Sequence, residues 1–589
     1  YLGTEGIFGI PLGVVATFVF HFVLFGIFIS KTGLGQLFID LAMALAGGTV
    51  GGPAKVSVVS SGFLGSISGS SIANTVTTGA FTIPLMKKVG YSPRFAGSVE
   101  AASSTGGQLM PPIMGAAAFI MAEFLGIPYI KIAACAIIPA FLHFFAVGTM
   151  VHFEALRKGL TGLPKDALPR VGAVLKERGL LLLPLLVIVY LLISGSSPFL
   201  AAFWGIIYSV AIGQIHRRTM PLLVPILLSI PSVLFWANPL DHSIFLILWI
   251  VVAVAGFFYV FKKTDRVSWL FGILAASVLA ILLIFKIEPS LCAFWSTMAV
   301  IAIGVFYKDS RMKVVDILNT LEWGTKNALA IDAACACVGF IVGATTLTGL
   351  GLKFASAVIQ LAHGVAFFVS HIDFMHLLTM DALALFFTLV FTAIACFVLG
   401  MGLPTTAQYI IASMIAAPAL MQWGIPPLVS HMFVLFYAVL ADVTPPVALA
   451  AYAASGISGA DPFRTGFTAF GLASAGFCVP FVFVYSPIIL WLPRLLDPNV
   501  PFNYLGFIMV FAAIVIGVIA LGATIIGYFK DKSTTLERIA TGIATLCLFL
   551  RIPYLNLIGL GILVCVYLIQ RRRKGKVIEG ESLLAEETG

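Results

Sequence analysis

Long apolar runs separated by short basic clusters organise most of the chain. Runs long enough to cross a bilayer, roughly 20 residues for about 30 Å of hydrocarbon, occur near 7–30, 34–50, 94–124, 130–152, 179–194, 197–213, 219–236, 243–261, 267–285 and 290–306. Others lie near 327–347, 352–369, 377–400, 427–456, 462–492, 501–529 and 552–570. Two further apolar stretches, 56–86 and 402–422, are interrupted in or beside the middle by Ser68–Asn74 (SGSSIAN) and Gly400–Ala407 (GMGLPTTA). Small hydroxyl residues with Gly or Pro would expose unpaired backbone to lipid, so these two stretches predict re-entrant hairpins whose tips face protein or water. With Lys87, Lys88 and Arg94 placed inside, span counting puts Arg157–Arg178, His216–Arg218, Lys262–Arg266, Lys308–Lys313 and Lys530–Arg538 on the same side, as the positive-inside rule requires. Arg571–Lys574 joins them if 539–550 pairs with 552–570.

Composition excludes a soluble fold. Apolar residues make up 60% and charged residues 10% of 589, against roughly 45–50% and about 25% in globular domains. The net charge of +9 lies in inter-span clusters, which fits a membrane surface and not nucleic acid. All eight cysteines sit in apolar segments without metal-ligand spacing and are expected to be core residues. The chain begins Tyr1-Leu2-Gly3 with no initiator Met and no signal pattern, so residues upstream are expected to have been removed.

The chain also repeats itself. A shift of 334 places Pro84 on Pro418, Gly90 on Gly424, Pro93 on Pro427, Pro111-Pro112 on Pro445-Pro446 and Pro128 on Pro462. The first hairpin opens onto Lys87, Lys88 and Arg94, and its counterpart opens onto the uncharged Met421–Leu428. Two halves of opposite orientation are the pattern of a transporter. A second match, Thr32–Gly35 with Thr348–Gly351 at an offset of 316, is taken as chance or a relic, with 377–400 as an extra span that inverts the second half. The resulting division is a first repeat (1–178, hairpin 56–86, broken helix 94–124), central spans (179–325), a second repeat (326–495, hairpin 402–422, broken helix 427–456) and C-terminal spans with a basic tail (496–589).

Each proline pair removes amide donors and pushes the preceding residue out of helix, which frees carbonyls for a cation. Restarting helices and hairpin tips offer amides and partial positive charge to an anion. Two pseudo-equivalent cation sites are expected, one between Ser68–Asn74 and Thr105–Gln108, the other between Leu403–Gln408 and Asp442–Thr444, with substrate between the tips. The competing reading takes these as helix-packing Gly, Ser and Thr. Among ionisable residues within spans, Asp442 is expected to ligate a cation or carry a proton, Glu100 is either functional or structural, and Glu123 and Asp332 are expected to be solvated at span ends. His21, His143 and His363 are expected to be structural.

The run Ser68–Ile130 and the segments GMGLPTTAQYIIASMIAAPAL and ADVTPPVALAAYAASGISGADPFRTGFTAF resemble the large membrane subunit of a tripartite ATP-independent periplasmic (TRAP) transporter, closest to its TAXI branch. The resemblance implies an all-α, elevator-type secondary transporter of the inner membrane with inverted repeats, driven usually by Na⁺ and without an enzymatic cofactor. It implies two partners, an extracytoplasmic substrate-binding protein and a small four-helix membrane subunit. It also implies that 153–178 and 308–325 are interfacial arm helices. Carried over, the first cation site comprises Ser68, Ser71, Asn74, Thr105 and Gly106, and the second Gly402, Thr405, Thr406, Asp442 and Thr444. Substrate, an organic acid, would meet Ser70, Ser71, Asn74, Gln108, Pro404, Thr405 and Thr406. No Arg lies in the broken segments, so hydroxyls and helix N-termini would serve the carboxylate. A self-sufficient symporter or antiporter, a passive channel and an intramembrane enzyme are the alternatives, and no HExxH or GxSxG motif supports the last.

Overall fold

The computed structural model describes residues 3, 6–215, 219–237, 276–277, 289–305, 312–371, 379–550 and 552–587. The expected span 243–261, all of 267–285 but residues 276–277, and the basic clusters at 216–218 and 262–266 lie outside them. In chain order the helices are α1 (Ile10–Lys31), α2 (Leu34–Ala46), α3 (Gly52–Ser68), α4 (Ser71–Lys88), α5 (Pro93–Gly107), α6 (Ala116–Leu125), α7 (Tyr129–Lys158) and α8 (Val171–Arg178). The central region holds α9 (Leu183–Ile193), α10 (Pro198–Gly213), α11 (Leu223–Ala237) and α12 (Pro289–Val305). Then follow α13 (Val314–Thr348), α14 (Leu350–Ser370), α15 (Met380–Gly400), α16 (Thr405–Ile415), α17 (Ala417–Gln422), α18 (Pro427–Leu440), α19 (Leu449–Ser458) and α20 (Pro462–Tyr485). The chain closes with α21 (Tyr504–Ile526), α22 (Thr535–Phe549) and α23 (Pro553–Glu587). Among the described residues, eight helical segments are long and apolar enough to cross a membrane. The protein is an all-α, multi-pass membrane protein.

Two helical hairpins, each followed by an interrupted helix, form the centre. In the first, α3 and α4 run antiparallel, with Ser61 Oγ 3.1 Å from Thr78 Oγ1. The turn uses Gly69 at φ 62°, which glycine adopts without steric cost, and Ser70 Oγ caps α4 by accepting from the Ala73 amide at 3.3 Å. Gly65 and Gly107 let α3 and α5 touch: a Cβ on Gly65 would lie 2.5 Å from Gly107 Cα. After α5 the chain breaks at Gln108–Gly115 and restarts as α6. The second hairpin turns at Met401–Pro404, with Gly402 at φ 78°. Its base is tied where Trp423 Nε1 donates to Thr388 Oγ1 at 3.1 Å. Downstream, α18 gives way to a 3₁₀ turn at Ala441–Val443, and helix resumes at Leu449.

Several expected boundaries are corrected. Helix α15 precedes the Met401–Pro404 turn and α16 with α17 follows it, so the helices about this turn cover Met380–Gln422 rather than 402–422 alone, and α15 is itself long and apolar enough to cross a membrane. Thr32–Gly35 and Thr348–Gly351, alike in sequence, are also alike in backbone. Both segments sit at the same joint, α1 to α2 and α13 to α14, with Gly33 at φ 94° and Gly349 at φ 62°. The offset grows from 316 to 334 in part because α14 has 21 residues against 13 in α2. The charged segments read as arms are partly ends of long helices: 153–158 completes α7 and 314–325 begins α13, while 159–178 comprises a loop and the short helix α8. At 35 residues, α13 is about 52 Å long, so its polar end extends beyond the hydrocarbon without a separate element. It packs antiparallel to α1, with Gly324 against Leu24 and Gly339 against Ile7, the close approach that small residues permit.

The end of α2 lies beside the basic segment. Leu163 N donates to Gly47 O at 2.9 Å, and Arg178 pairs with Asp40 at 3.1 Å. At the C-terminus, α22 and α23 return antiparallel. The Lys530 and Asp531 amides donate to Gln570 Oε1 at 2.9 and 3.1 Å, and Arg573 pairs with Asp531 at 3.0 Å and Glu537 at 3.3 Å. The start of the basic tail therefore lies on the side of Lys530–Arg538.

Candidate functional site at the two hairpin tips

Asp442 occupies the 3₁₀ turn that ends α18 and is 4% exposed. Its Oδ2 accepts from Ser71 Oγ at 2.6 Å and from Thr405 Oγ1 at 3.3 Å, and its Oδ1 from Gln408 Nε2 at 3.5 Å. Gln108 also lies against this carboxylate. Ser71 and Thr405 are each the first residue of the outgoing arm of their hairpin, at equivalent positions of the repeat. Both tips and both breaks thus converge on one carboxylate. Every donor to it is neutral, and a buried carboxylate without a positive partner is costly.

Around the junction are buried oxygens with no partner: Asn74 Oδ1, Thr105 Oγ1, Gln108 Oε1 and Gln408 Oε1. Asn74 and Gln408, which the shift of 334 superposes, are held in the same way. Asn74 Nδ2 donates to Ser61 O at 2.8 Å, and Gln408 Nε2 donates to Leu403 O at 2.6 Å. In each case the amide nitrogen is engaged and the carbonyl oxygen is left with free lone pairs. Buried oxygens of this kind normally find a partner, and an all-oxygen set with one formal charge suits a hard monovalent cation such as Na⁺.

Beside the first tip is a cleft of about 460 Å³, lined by Ser68, Gly69, Ser70 and Asn74 of the hairpin, by Thr406 of the other tip and by Lys31, Ser30 and Asn327 on the facing wall. Lys31, in the last turn of α1, has no carboxylate within ion-pair distance among the described residues. Sequence reasoning missed it. The signal was present: the corresponding position before the Thr348–Gly351 joint is Leu347, so the repeat is charged in one half and apolar in the other.

The remaining expected site residues lie at or near the same tips and breaks. Thr444 Oγ1 donates to Leu440 O at 2.8 Å. Gly106 makes room for His143, whose ring would lie 2.2 Å from a Cβ there. Gly402 and Pro404 shape the exposed second tip. Ser68 Oγ is buried and unpartnered at the first. Glu123 is exposed, and Asp332 is half-buried with Oδ1 unpaired.

Glu100, fully buried on α5, lies in a cage of five hydroxyls. Its Oε1 accepts from Ser61 Oγ at 2.7 Å, from Ser104 Oγ at 3.0 Å and from Thr78 Oγ1. Its Oε2 accepts from Ser57 Oγ at 2.7 Å and from Thr82 Oγ1. These donors come from both arms of the first hairpin and from α5 itself, so this carboxylate fastens the hairpin to the interrupted helix.

Two hairpin tips and two interrupted helices thus meet inside an apolar, multi-pass helical bundle. The chain matches the family model "Tripartite ATP-independent periplasmic transporter, DctM component" over residues 4–288 and 262–495, and it belongs to that family. It is 28% identical over 202 residues to the sialic acid TRAP transporter large permease protein SiaM of Vibrio cholerae serotype O1, which is 34% of this chain and 47% of that protein. It is 27% identical over 202 residues to the C4-dicarboxylate TRAP transporter large permease protein DctM of Pseudomonas aeruginosa, with the same shares. A shorter stretch of 91 residues is 40% identical to DctM of V. cholerae, covering 15% of this chain and 20% of that protein. The chain spans about half the length of the curated relatives it matches most extensively.

Proposed function

We propose that this chain is the permease subunit of a binding-protein-dependent secondary transporter of the inner membrane, importing an organic acid on a Na⁺ gradient. The observation that carries the reading is the Asp442 junction, a buried carboxylate with neutral donors, surrounded by unpaired oxygens and shared by both hairpins. Na⁺ would supply the missing positive charge, and the organic acid would lie in the adjoining cleft with a carboxylate toward Lys31. An extracytoplasmic binding protein would deliver it, and a small four-helix membrane subunit would complete the permease.

The motion fits an elevator. Inversion needs no added span if α2 and α14 lie along opposite membrane faces: α1 would then end inside and α13 outside, and each following hairpin would enter from the face just reached. On this reading α2 and α14 are the arms that carry a mobile core of both hairpins. The α2 contacts with Leu163 and Arg178, in a basic segment, support an inner-face position. Lys31 and Asn327 then mark the cleft as open to the cytoplasm. The C-terminal helices α21 to α23 agree with the TAXI branch.

The test is uptake into proteoliposomes carrying this chain with and without its small subunit and binding protein, using labelled C4-dicarboxylates, 2-oxo acids and glutamate. Uptake that requires the binding protein and an inward Na⁺ gradient is expected. Uptake by the chain alone, or equal uptake with choline replacing Na⁺, would overturn the reading.

A further inference from the structure

On the far side of the first hairpin, a groove of about 640 Å³ opens between α3, α7 and α21. Phe63, Phe144, Phe145, Phe153, Ile519 and Phe529 make its walls almost entirely hydrocarbon. At one end Lys55 Nζ lies 3.3 Å from His152 Nδ1, both half-buried. In this contact the ammonium donates and a neutral imidazole accepts, so the charge of Lys55 is solvated but not balanced. No carboxylate among the described residues pairs with it. Glu154 is taken by Arg157 at 2.6 Å and Lys158 at 3.5 Å, and Asp40 by Arg178.

Depth and direction narrow the occupant. Lys55 is in the first turn of α3, at the hairpin base that also carries Lys87 and Lys88, and His152 lies just before the basic end of α7. The pair therefore sits at headgroup level, where cytoplasmic basic residues meet lipid phosphates. From there the groove runs past Gly62, Phe63 and Gly148 to Met110 at the first helix break. A free phosphate would leave these apolar walls facing water, whereas a lipid covers them with its own chain. A zwitterionic headgroup would bring a second cation toward Lys55, and an anionic one would not. The volume falls within the range of specific ligand sites.

We propose that this groove binds one anionic phospholipid, its phosphate on Lys55 and His152 and an acyl chain along α7 toward Met110. The lipid joins the first hairpin to the C-terminal helix α21, which contributes Ile519. The site does not depend on the identity of the transported substrate.

Native mass spectrometry of the full chain in detergent tests it, with titration by palmitoyl-oleoyl phosphatidylglycerol, by the matching phosphatidylcholine and by glycerol phosphate as a headgroup without chains. Saturable binding of one phosphatidylglycerol is expected, tighter than phosphatidylcholine and not displaced by glycerol phosphate. Loss of one cation near an anionic headgroup corresponds to about a fivefold weakening, so Lys55→Met should bind about fivefold less tightly and Lys55→Arg like wild type. Gly148 has nothing within 4 Å of an added Cβ, so Gly148→Leu should block the chain while leaving both Lys55 and His152 in the sequence, and this variant decides the matter if Lys55→Met fails to fold. Equal binding of both lipids, wild-type binding by Gly148→Leu, or displacement by glycerol phosphate would each overturn the proposal.

Discussion

Replacing Glu100 with Gln changes one oxygen to an amide and removes the charge, with almost no change in shape. Gln would keep its oxygen where three hydroxyls converge, those of Ser61, Thr78 and Ser104, and turn its NH₂ toward Ser57 and Thr82. The amide then donates to the Ser57 and Thr82 oxygens, and the Thr82 hydroxyl hydrogen retains Thr78 O at 3.0 Å as acceptor, whereas the Ser57 hydroxyl hydrogen loses its acceptor. Hydrogen bonds to a charged group contribute about 1.5–3 kcal/mol each and neutral ones about 0.5–1.5. Five charge-assisted bonds replaced by neutral ones, at about 1–1.5 kcal/mol each, therefore cost about 5–7.5 kcal/mol. Membrane-embedded sites can relax, and the lower end is the safer expectation. Thermal and denaturant unfolding of the purified chain in detergent, followed by tryptophan fluorescence, would measure it. Ser104→Ala, which removes one donor of five, should cost about 1–2 kcal/mol by the same reasoning. A Glu100→Gln protein as stable as wild type would refute it.

Two other outcomes follow from particular side chains. Lys31→Met should raise the half-saturation concentration for the organic acid by about tenfold, the equivalent of 1.4 kcal/mol, and Lys31→Arg should restore it; unchanged kinetics in both would remove Lys31 from recognition. Burial pushes the Asp531 carboxyl up, but the Lys532 amide and the Arg573 guanidinium outweigh it and hold it below the ordinary aspartate value. Its contribution is then complete above the ordinary value and is lost as pH falls through the depressed one. The stability difference between wild type and Asp531→Asn should shrink over that acidic interval, and a difference constant with pH would contradict the pairing.

Much of the fold was legible because broken helices carry their own marks. The proline pairs at 111–112 and 445–446 and the polar tips at 68–74 and 400–407 coincide with real interruptions. Run length, by contrast, cannot tell a crossing helix from a hairpin arm, and Met380–Gly400, which leads into the second tip, has the length and composition of either. The Glu100 cage had a readable trace. Ser57 and Ser61, Thr78 and Thr82, and Glu100 and Ser104 are each spaced i, i+4, which sets three polar stripes on three helices. Only the packing reveals that the stripes face one another. The Ser71 to Asp442 bond spans 371 positions and crosses between the repeats. Symmetry suggested two separate sites, but it could not show that the tips meet at one acid.

A cation held at that acid is the centre of the proposed mechanism, and radioactive Na⁺ binding to the purified chain measures it without knowledge of the substrate. Saturable binding, displaced by unlabelled Na⁺, lost in Asp442→Asn and kept in Glu123→Gln, is expected. Absence of saturable binding, or equal binding by both variants, would contradict a cation site at the hairpin junction.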